Sequence, residues 1–94
     1  MEKARVIKTN GEVIEVTPKN GTDFSLEEMQ GVVGGLIEII DTPDGKQIMV
    51  LNEEGKLEDL PFNMIATGIA VKDFGLVGDY IAGDVLVCPS EMVL

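Results

Sequence analysis

Short apolar runs separated by turn-forming residues dominate the pattern along the chain. In RVIKTNGEVIEVT, β-branched and polar residues alternate on both sides of Asn10-Gly11. The alternation predicts two antiparallel strands, with Val6 and Ile7 on opposite faces of a sheet. The dipeptide predicts a type I′ hairpin turn, because both of its residues tolerate a positive φ.

Further strands are predicted in the second half of the chain. LIEII and KQIMVL flank the turn sequence DTPDG, so residues 36–40 and 48–51 should form an antiparallel pair. Residues 48–51 are apolar at successive positions, which predicts a strand that is covered on both faces. VLVC predicts a last strand that stops at Pro89, and NEEGKL predicts a turn in which Gly55 adopts a positive φ.

Helical periodicity is clear in FSLEEMQGVVGG. Ser25 and Glu28 have the spacing of a capping box, and Phe24 and Met29 have the spacing of a hydrophobic staple. The glycines at 34–35 should end the helix in a left-handed cap. The residues at helical spacing that we expect to face the sheet are Leu26, Met29, Val32 and Val33.

These elements predict a single α+β domain over residues 1–94. It should contain a mostly antiparallel sheet of about five strands, with the capped helix at about residues 26–33 packed on one face. LPFNMIAT is compatible with one or two further helical turns that start at Pro61. The glycine-punctuated KDFGLVGDYIAGD predicts a loop with some extended structure.

The charge of the chain restricts the class of partner. Seventeen acidic residues against seven basic ones give a net charge of −10. A protein that binds nucleic acid directly normally needs a basic face, so we expect no direct nucleic-acid binding. No apolar run approaches the length of a membrane span, and MEKARVIKTNGEV lacks the apolar core of a signal peptide. We therefore expect a cytoplasmic protein without membrane contact.

Residues that carry catalysis are scarce. The chain has no histidine and one cysteine, so neither a Ser-His-Asp triad nor a Cys-His pair can form. Cys88 lies within an apolar run and is expected in the core. The acidic turns DTPDGK and NEEGKLED do not have the alternating oxygen spacing of a calcium loop. The sequence predicts no enzyme, no cofactor and no metal site.

The order of several motifs resembles a known family. LEEMQGVVGGLIEII, NEEGKLEDLPFNMIA and DYIAGDVLV are similar to the proteins catalogued as domain of unknown function three-eight-four-six (DUF3846). The shared motifs are Val-Gly-Gly at residues 33–35, Asn-Glu-Glu-Gly at 52–55, Leu-Pro-x-Asn at 60–63 and Ile-x-Gly at 81–83. Where many relatives carry a basic residue, this chain has Met64. The resemblance implies a small accessory protein of phage or mobile-element type, with no established reaction.

Three functions remain open at this point. The first is a binding protein that inhibits a host partner, such as a nuclease or a CRISPR effector, through an acidic surface at residues 52–63. The second is a sponge for a nucleotide signal, and the third is a homo-oligomeric module, for instance a homodimer. The acids could also serve solubility alone. The candidate binding residues are Asn52, Glu53, Glu54, Gly55, Glu58, Asp59 and Asn63.

Overall fold

Five antiparallel strands form the sheet in residues 3–93, the part of the chain that the computed structural model describes. Their order across the sheet is β2-β1-β5-β4-β3, which confirms the predicted α+β fold with a sheet of about five strands. The strands are β1 (Ala4–Ile7), β2 (Val13–Val16), β3 (Ile37–Asp41), β4 (Gln47–Asn52) and β5 (Val85–Pro89).

Two α-helices cover opposite faces of this sheet, where the sequence predicts one helix and one or two further helical turns. They are α1 (Leu26–Val33) and α2 (Met64–Asp73). Successive residues of each strand point to opposite faces, so two separate cores form. The core under α1 includes Val6, Ile48, Val50, Leu86 and Cys88. The core under α2 includes Ile7, Met49, Val85, Val87 and the helix residues Ala66 and Ala70.

The first helix begins and ends where its local signals predicted. The backbone N–H of Glu28 donates to Ser25 Oγ at 3.1 Å, and the Ser25 N–H donates to Glu28 Oε1 at 2.9 Å. Gly34 ends the helix in the left-handed region, at φ +79°. The prediction that Leu26 faces the sheet is wrong. Leu26 is 55% exposed, because the buried ring of Phe24 fills the core at this end of the helix.

The β1–β2 hairpin forms at the predicted place with a different turn. The Gly11 N–H donates to the Lys8 carbonyl at 3.0 Å, and the Lys8 N–H donates to the Glu12 carbonyl at 2.8 Å. This is a three-residue loop with a bulge at Gly11, whose φ is +94°. Asn10 does not have the positive φ that a type I′ turn requires. The single glycine supplies the required left-handed residue.

The second helix starts later and runs further than predicted. Pro61 is not its first residue, because Phe62 forms a β-bridge with Ala82 and keeps this segment extended. Asn63 is the N-cap, and the helix continues for ten residues into the segment predicted as a loop. The predicted pairing of residues 36–40 with 48–51 is confirmed by β3 and β4.

Candidate interaction surface

Asn52 fixes the start of the segment at residues 52–63. Its side chain is 4% exposed. Its Nδ2 donates to the Val33 carbonyl at 3.1 Å and to Glu58 Oε1 at 3.3 Å, and its Oδ1 accepts from the Glu54 N–H at 2.7 Å. A Cβ at Gly35 would lie only 2.9 Å from this Nδ2. The segment is thereby held to the end of α1.

Asn63 fixes the other end, and its side chain is fully buried. Its Nδ2 donates to the carbonyls of Ile7 and Gly83, at 3.0 and 2.9 Å. Its Oδ1 accepts from the Ala66 N–H at 3.0 Å and so caps α2. Both N–H bonds of the amide are used. Asn63 therefore joins strand β1, residue 83 and helix α2.

Gly55 lies within the segment, at a position where the backbone of residue 82 leaves no room for a side chain. A Cβ there would lie 2.9 Å from the backbone carbonyl oxygen of Ala82. The predicted positive φ at Gly55 is wrong, since the left-handed residue of this turn is Asp59, at φ +55°. The Leu60 N–H donates to the Gly55 carbonyl at 2.9 Å. The segment is a folded turn that contacts residue 82 closely.

The four predicted acids, in contrast, are exposed. Glu53, Glu54, Glu58 and Asp59 all have solvent-exposed side chains. Within residues 3–93, none of them forms an ion pair with Lys or Arg. We call residues 53–62 the acidic loop. The backbone that carries these four acids is anchored at its two ends by the buried Asn52 and Asn63.

Lys56, the one lysine in the acidic loop, interacts with Asp79 and Tyr80, which lie outside the loop. The Lys56 ammonium pairs with the Asp79 carboxylate and lies 4.6 Å from the centre of the Tyr80 ring. The hydrogen bond from Lys56 lowers the pKa of Asp79 below its ordinary value, and the Tyr80 N–H adds to this effect. Lys56 therefore does not neutralise the four acids.

Apolar side chains accompany the acids, and the sequence reasoning missed them. Leu57 is 84% exposed, and Phe62 is 52% exposed. The Phe62 ring contacts the Tyr80 ring, with centroids 6.0 Å apart. The available signal was an apolar residue within a polar turn, in the sequence EGKLEDLPF. Exposed aromatic and aliphatic groups beside a polar rim are typical of protein-binding surfaces.

The volumes and lining residues of the cavities show whether the predicted binding residues could enclose a nucleotide. A cleft of about 90 Å³ lies beside Asn52, between β3–β4 and residues 76–82. Small-molecule sites are usually about 300–1,000 Å³, so this cleft has no room for a nucleotide. A larger open groove, of about 1,040 Å³, is lined by the β3–β4 turn, Asp73 and residues 89–92. It includes none of the predicted binding residues.

The groups that could support chemistry are few. Cys88 is 1% exposed, as predicted, and burial raises the pKa of its thiol to about 11. It is therefore protonated at neutral pH. Among residues 3–93, no three His, Cys, Asp or Glu side chains cluster in a way that could hold a metal ion. No helix in the same range is long and apolar enough to cross a membrane.

The family of the chain follows from its sequence profile. The profile described as Domain of unknown function (DUF3846) matches residues 3–92. The chain belongs to this family. Comparisons with curated proteins and with solved structures gave no significant match.

In this DUF3846 protein, the four motifs meet around the acidic loop. Residue 35 leaves room for Asn52, and residue 55 contacts residue 82. Asn63 donates to the carbonyl of Gly83, which has φ +89°. A Cβ at Gly83 would lie 2.8 Å from Leu60 Cδ1. The buried motif residues thus position the exposed Glu53 and Glu54.

Proposed function

We propose that this DUF3846 protein is a non-enzymatic binding protein that docks on a partner protein through the acidic loop. Leu57, Phe62 and the neighbouring Tyr80 supply the apolar contact area. Glu53, Glu54, Glu58 and Asp59 supply an acidic rim. The partner surface should be apolar at its centre and basic around it.

The observation that carries this proposal is the contrast between the anchors of the acidic loop and its outer side chains. Asn52 and Asn63 are buried and use their side-chain amides in contacts within the protein. Leu57 is almost fully exposed on the same segment. A loop that is fixed before binding loses little conformational entropy when a partner docks. The arrangement therefore suits recognition by a preformed surface.

The four acids are expected to act mainly on the rate of association. Exposed charges on a rim steer an oppositely charged partner, and salt screens this effect. The apolar residues become buried in the complex, so they should mainly control the rate of dissociation.

We further propose that the partner is a host protein and that the setting is a phage or mobile element in a bacterial cytoplasm. The resemblance of the motifs supports this setting, since it implies proteins of that origin. Host proteins that handle nucleic acid, such as nucleases and CRISPR effectors, need basic surfaces. An acidic loop with an apolar centre would suit the inhibition of such a protein.

The experiment is a pull-down from the bacterial host with matched variants, identified by mass spectrometry. The test variant is E53Q/E54Q/E58Q/D59N, which removes four charges. Glutamine at 58 keeps an acceptor for Asn52, and asparagine at 59 tolerates a positive φ. The control removes four exposed charges elsewhere, through E12Q/E27Q/D73N/E91Q. Both variants have the same net charge.

The proposal expects a partner that the parent and the control capture and the test variant does not. A second variant, Leu57→Ser, should release the same partner faster without changing the salt dependence of binding. Equal capture by the parent, the control and the test variant would contradict the acidic-loop mechanism. Equal protection of a phage against host defences by the parent and the test variant would also contradict it.

A further inference from the structure

We propose that β3 pairs with β3 of a second copy of this chain, antiparallel and centred on Ile39, so that two five-stranded sheets become one. This inference does not depend on the function of the acidic loop. It rests on the backbone and side chains of β3 (Ile37–Asp41), an edge strand of the sheet. Edge strands expose unpaired N–H and C=O groups that can pair with another chain.

The hydrogen bonds to β4 show which backbone groups of β3 are available. The Glu53 N–H donates to the Leu36 carbonyl, and the Thr42 N–H donates to the Gln47 carbonyl. Backbone groups alternate in direction along an antiparallel strand. Even-numbered residues between 36 and 42 therefore bond to β4. Ile37, Ile39 and Asp41 direct their N–H and C=O groups to the open edge.

A register centred on Ile39 uses all three of these residues. Ile39 would lie opposite Ile39 of the second copy. Ile37 of each copy would lie opposite Asp41 of the other. Each such pair exchanges two bonds, so about six backbone hydrogen bonds would form. Glu38 would lie opposite Ile40. No acid of β3 would lie directly opposite another acid.

Neighbouring registers are less favourable. Centring the pair on Glu38 or on Asp41 would place an acid opposite its own copy, which is destabilising. Centring it on Ile40 would place Pro43 opposite Ile37, and proline has no N–H to donate. Of these registers, the one centred on Ile39 pairs all three outward residues and sets no acid opposite an acid. This self-complementarity is the reason for choosing a second copy of this chain as the occupant.

The other edge of the sheet is built differently. Strand β2 (Val13–Val16) has four residues. The Lys8 N–H donates to the Glu12 carbonyl, so the even-numbered residues of β2 bond to β1. Within β2, the backbone N–H and C=O groups of Val13 and Glu15 therefore point to the open edge. Glu15 is ion-paired with Lys3 at 2.9 Å. Charged residues on an edge strand oppose edge-to-edge pairing, and β3 also carries two exposed acids, Glu38 and Asp41. In the register centred on Ile39, which is 43% exposed, neither of these acids lies opposite an acid of the second copy.

The net charge of −10 on each copy opposes association. Added salt should therefore strengthen the dimer, because it screens the repulsion between copies. This is the opposite of the salt effect expected for a basic partner at the acidic loop. The two proposals can accordingly succeed or fail separately.

Analytical ultracentrifugation of the purified chain tests the proposal, at about 0.1 and about 1 M NaCl. The parent should form a dimer whose dissociation constant falls as salt rises. Ile39→Lys places two lysines opposite each other and should raise that constant about tenfold or more. Val13→Lys, on the other edge strand, should leave it unchanged. A parent that stays monomeric up to about 1 mM would overturn the proposal.

Disulfide cross-linking tests the register. Ile39→Cys should form a dimer under mild oxidation, because directly opposite residues lie within the Cα distance of a disulfide. Cys88 is buried and should not compete. Val13→Cys should remain uncross-linked. A cross-link between Ile39→Cys and Val13→Cys chains would show β2–β3 pairing and would overturn the twofold arrangement.

Discussion

The two helices of this DUF3846 protein are fixed to the sheet in different ways. The cap of α1 uses Ser25 and Glu28, which are three residues apart. The cap of α2 is Asn63, whose side chain also bonds to carbonyls 56 and 20 residues away. The start of α1 is thus encoded locally, while the start of α2 depends on contacts between distant parts of the chain.

The two helices also differ in the side chains that they bury against the sheet. Helix α1 buries the large side chains of Met29 and Val33. Helix α2 buries only Ala66 and Ala70, and it exposes Met64 and Val71. Apolar residues therefore lie around most of α2 and give no clear periodicity. We infer that the position of α2 depends on the buried side chain of Asn63 in addition to its contacts through Ala66 and Ala70.

The largest expected effect is that of Asn63→Ala. It removes the cap of α2 and leaves the buried carbonyls of Ile7 and Gly83 without this donor. A lost cap costs about 1 kcal/mol, and a buried unsatisfied polar group costs about 1–3 kcal/mol. With one lost cap and two affected carbonyls, the free energy of unfolding in urea should therefore fall by at least about 3 kcal/mol.

Asn63→Asp separates the two roles of this side chain. It keeps the acceptor that caps α2 and loses both donors. We expect it to unfold nearly as easily as Asn63→Ala. A stability equal to that of the parent would show that the bonds to Ile7 and Gly83 do not fix α2.

The next effect concerns the attachment of the acidic loop beside α2. Gly55→Ala forces a methyl group to 2.9 Å from the Ala82 carbonyl oxygen, and it should destabilise by about 1–3 kcal/mol. Gly68→Ala is the matched control within α2, where a Cβ meets nothing within 4 Å. It should stabilise by about 0.5–1 kcal/mol. Thermal melting of both variants would check the opposite signs.

The comparison of the helices also explains how much of this fold the sequence could predict. The capping box, the left-handed Gly34 and the β3–β4 pair depend on neighbouring residues, and all three were predicted. The start of α2 was misplaced at Pro61, because the bridge of Phe62 to Ala82 is a contact across twenty residues. No local pattern encodes it.

The candidate site shows the same limit. The four acids could be predicted as exposed from their turn sequence. The burial of Asn52 and Asn63 could not, since it depends on Val33, Ile7 and Gly83, which are far away in the chain. Asparagine in a turn sequence normally indicates an exposed turn or cap residue. Tyr80 was missed for the same reason, because it meets the acidic loop through contacts with Lys56 and Phe62, which are far away in the chain.

A smaller effect is expected at the start of α1. Ser25→Ala removes the side-chain acceptor for the Glu28 N–H and should cost about 1 kcal/mol in unfolding free energy. Ser25→Asp keeps an acceptor at the cap and should retain most of the stability. If Ser25→Ala proved as destabilising as Asn63→Ala, the proposed difference between the two helix starts would be wrong.

The smallest effect depends on pH and again separates the two helices. The backbone N–H groups of Ser25 and then Lys19 hold the pKa of Glu28 below its ordinary value of 4.5. A lowered pKa means that the folded state binds this proton less readily than the unfolded state does. The stabilisation is therefore complete above pH 4.5 and is lost as the pH falls through the folded pKa. The start of α2 has no such group, since Asn63 does not titrate and no acid lies in its first turn.

Glu28→Gln keeps a capping-box side chain but removes its charge. The pKa values of Asp44 and Asp79 are also lowered in the folded state, but both residues are unchanged in this variant. A comparison with the parent therefore isolates the pH-dependent contribution of Glu28. The parent should melt at a higher temperature than Glu28→Gln at pH 6. The gap should close as the pH falls below 4.5, because Glu28 is then protonated first in the unfolded state and, at lower pH, in the folded state as well. Amide exchange should show the same convergence in α1 and none in α2. A gap in melting temperature that stays constant over this range would mean that the Glu28 charge does not stabilise the helix start.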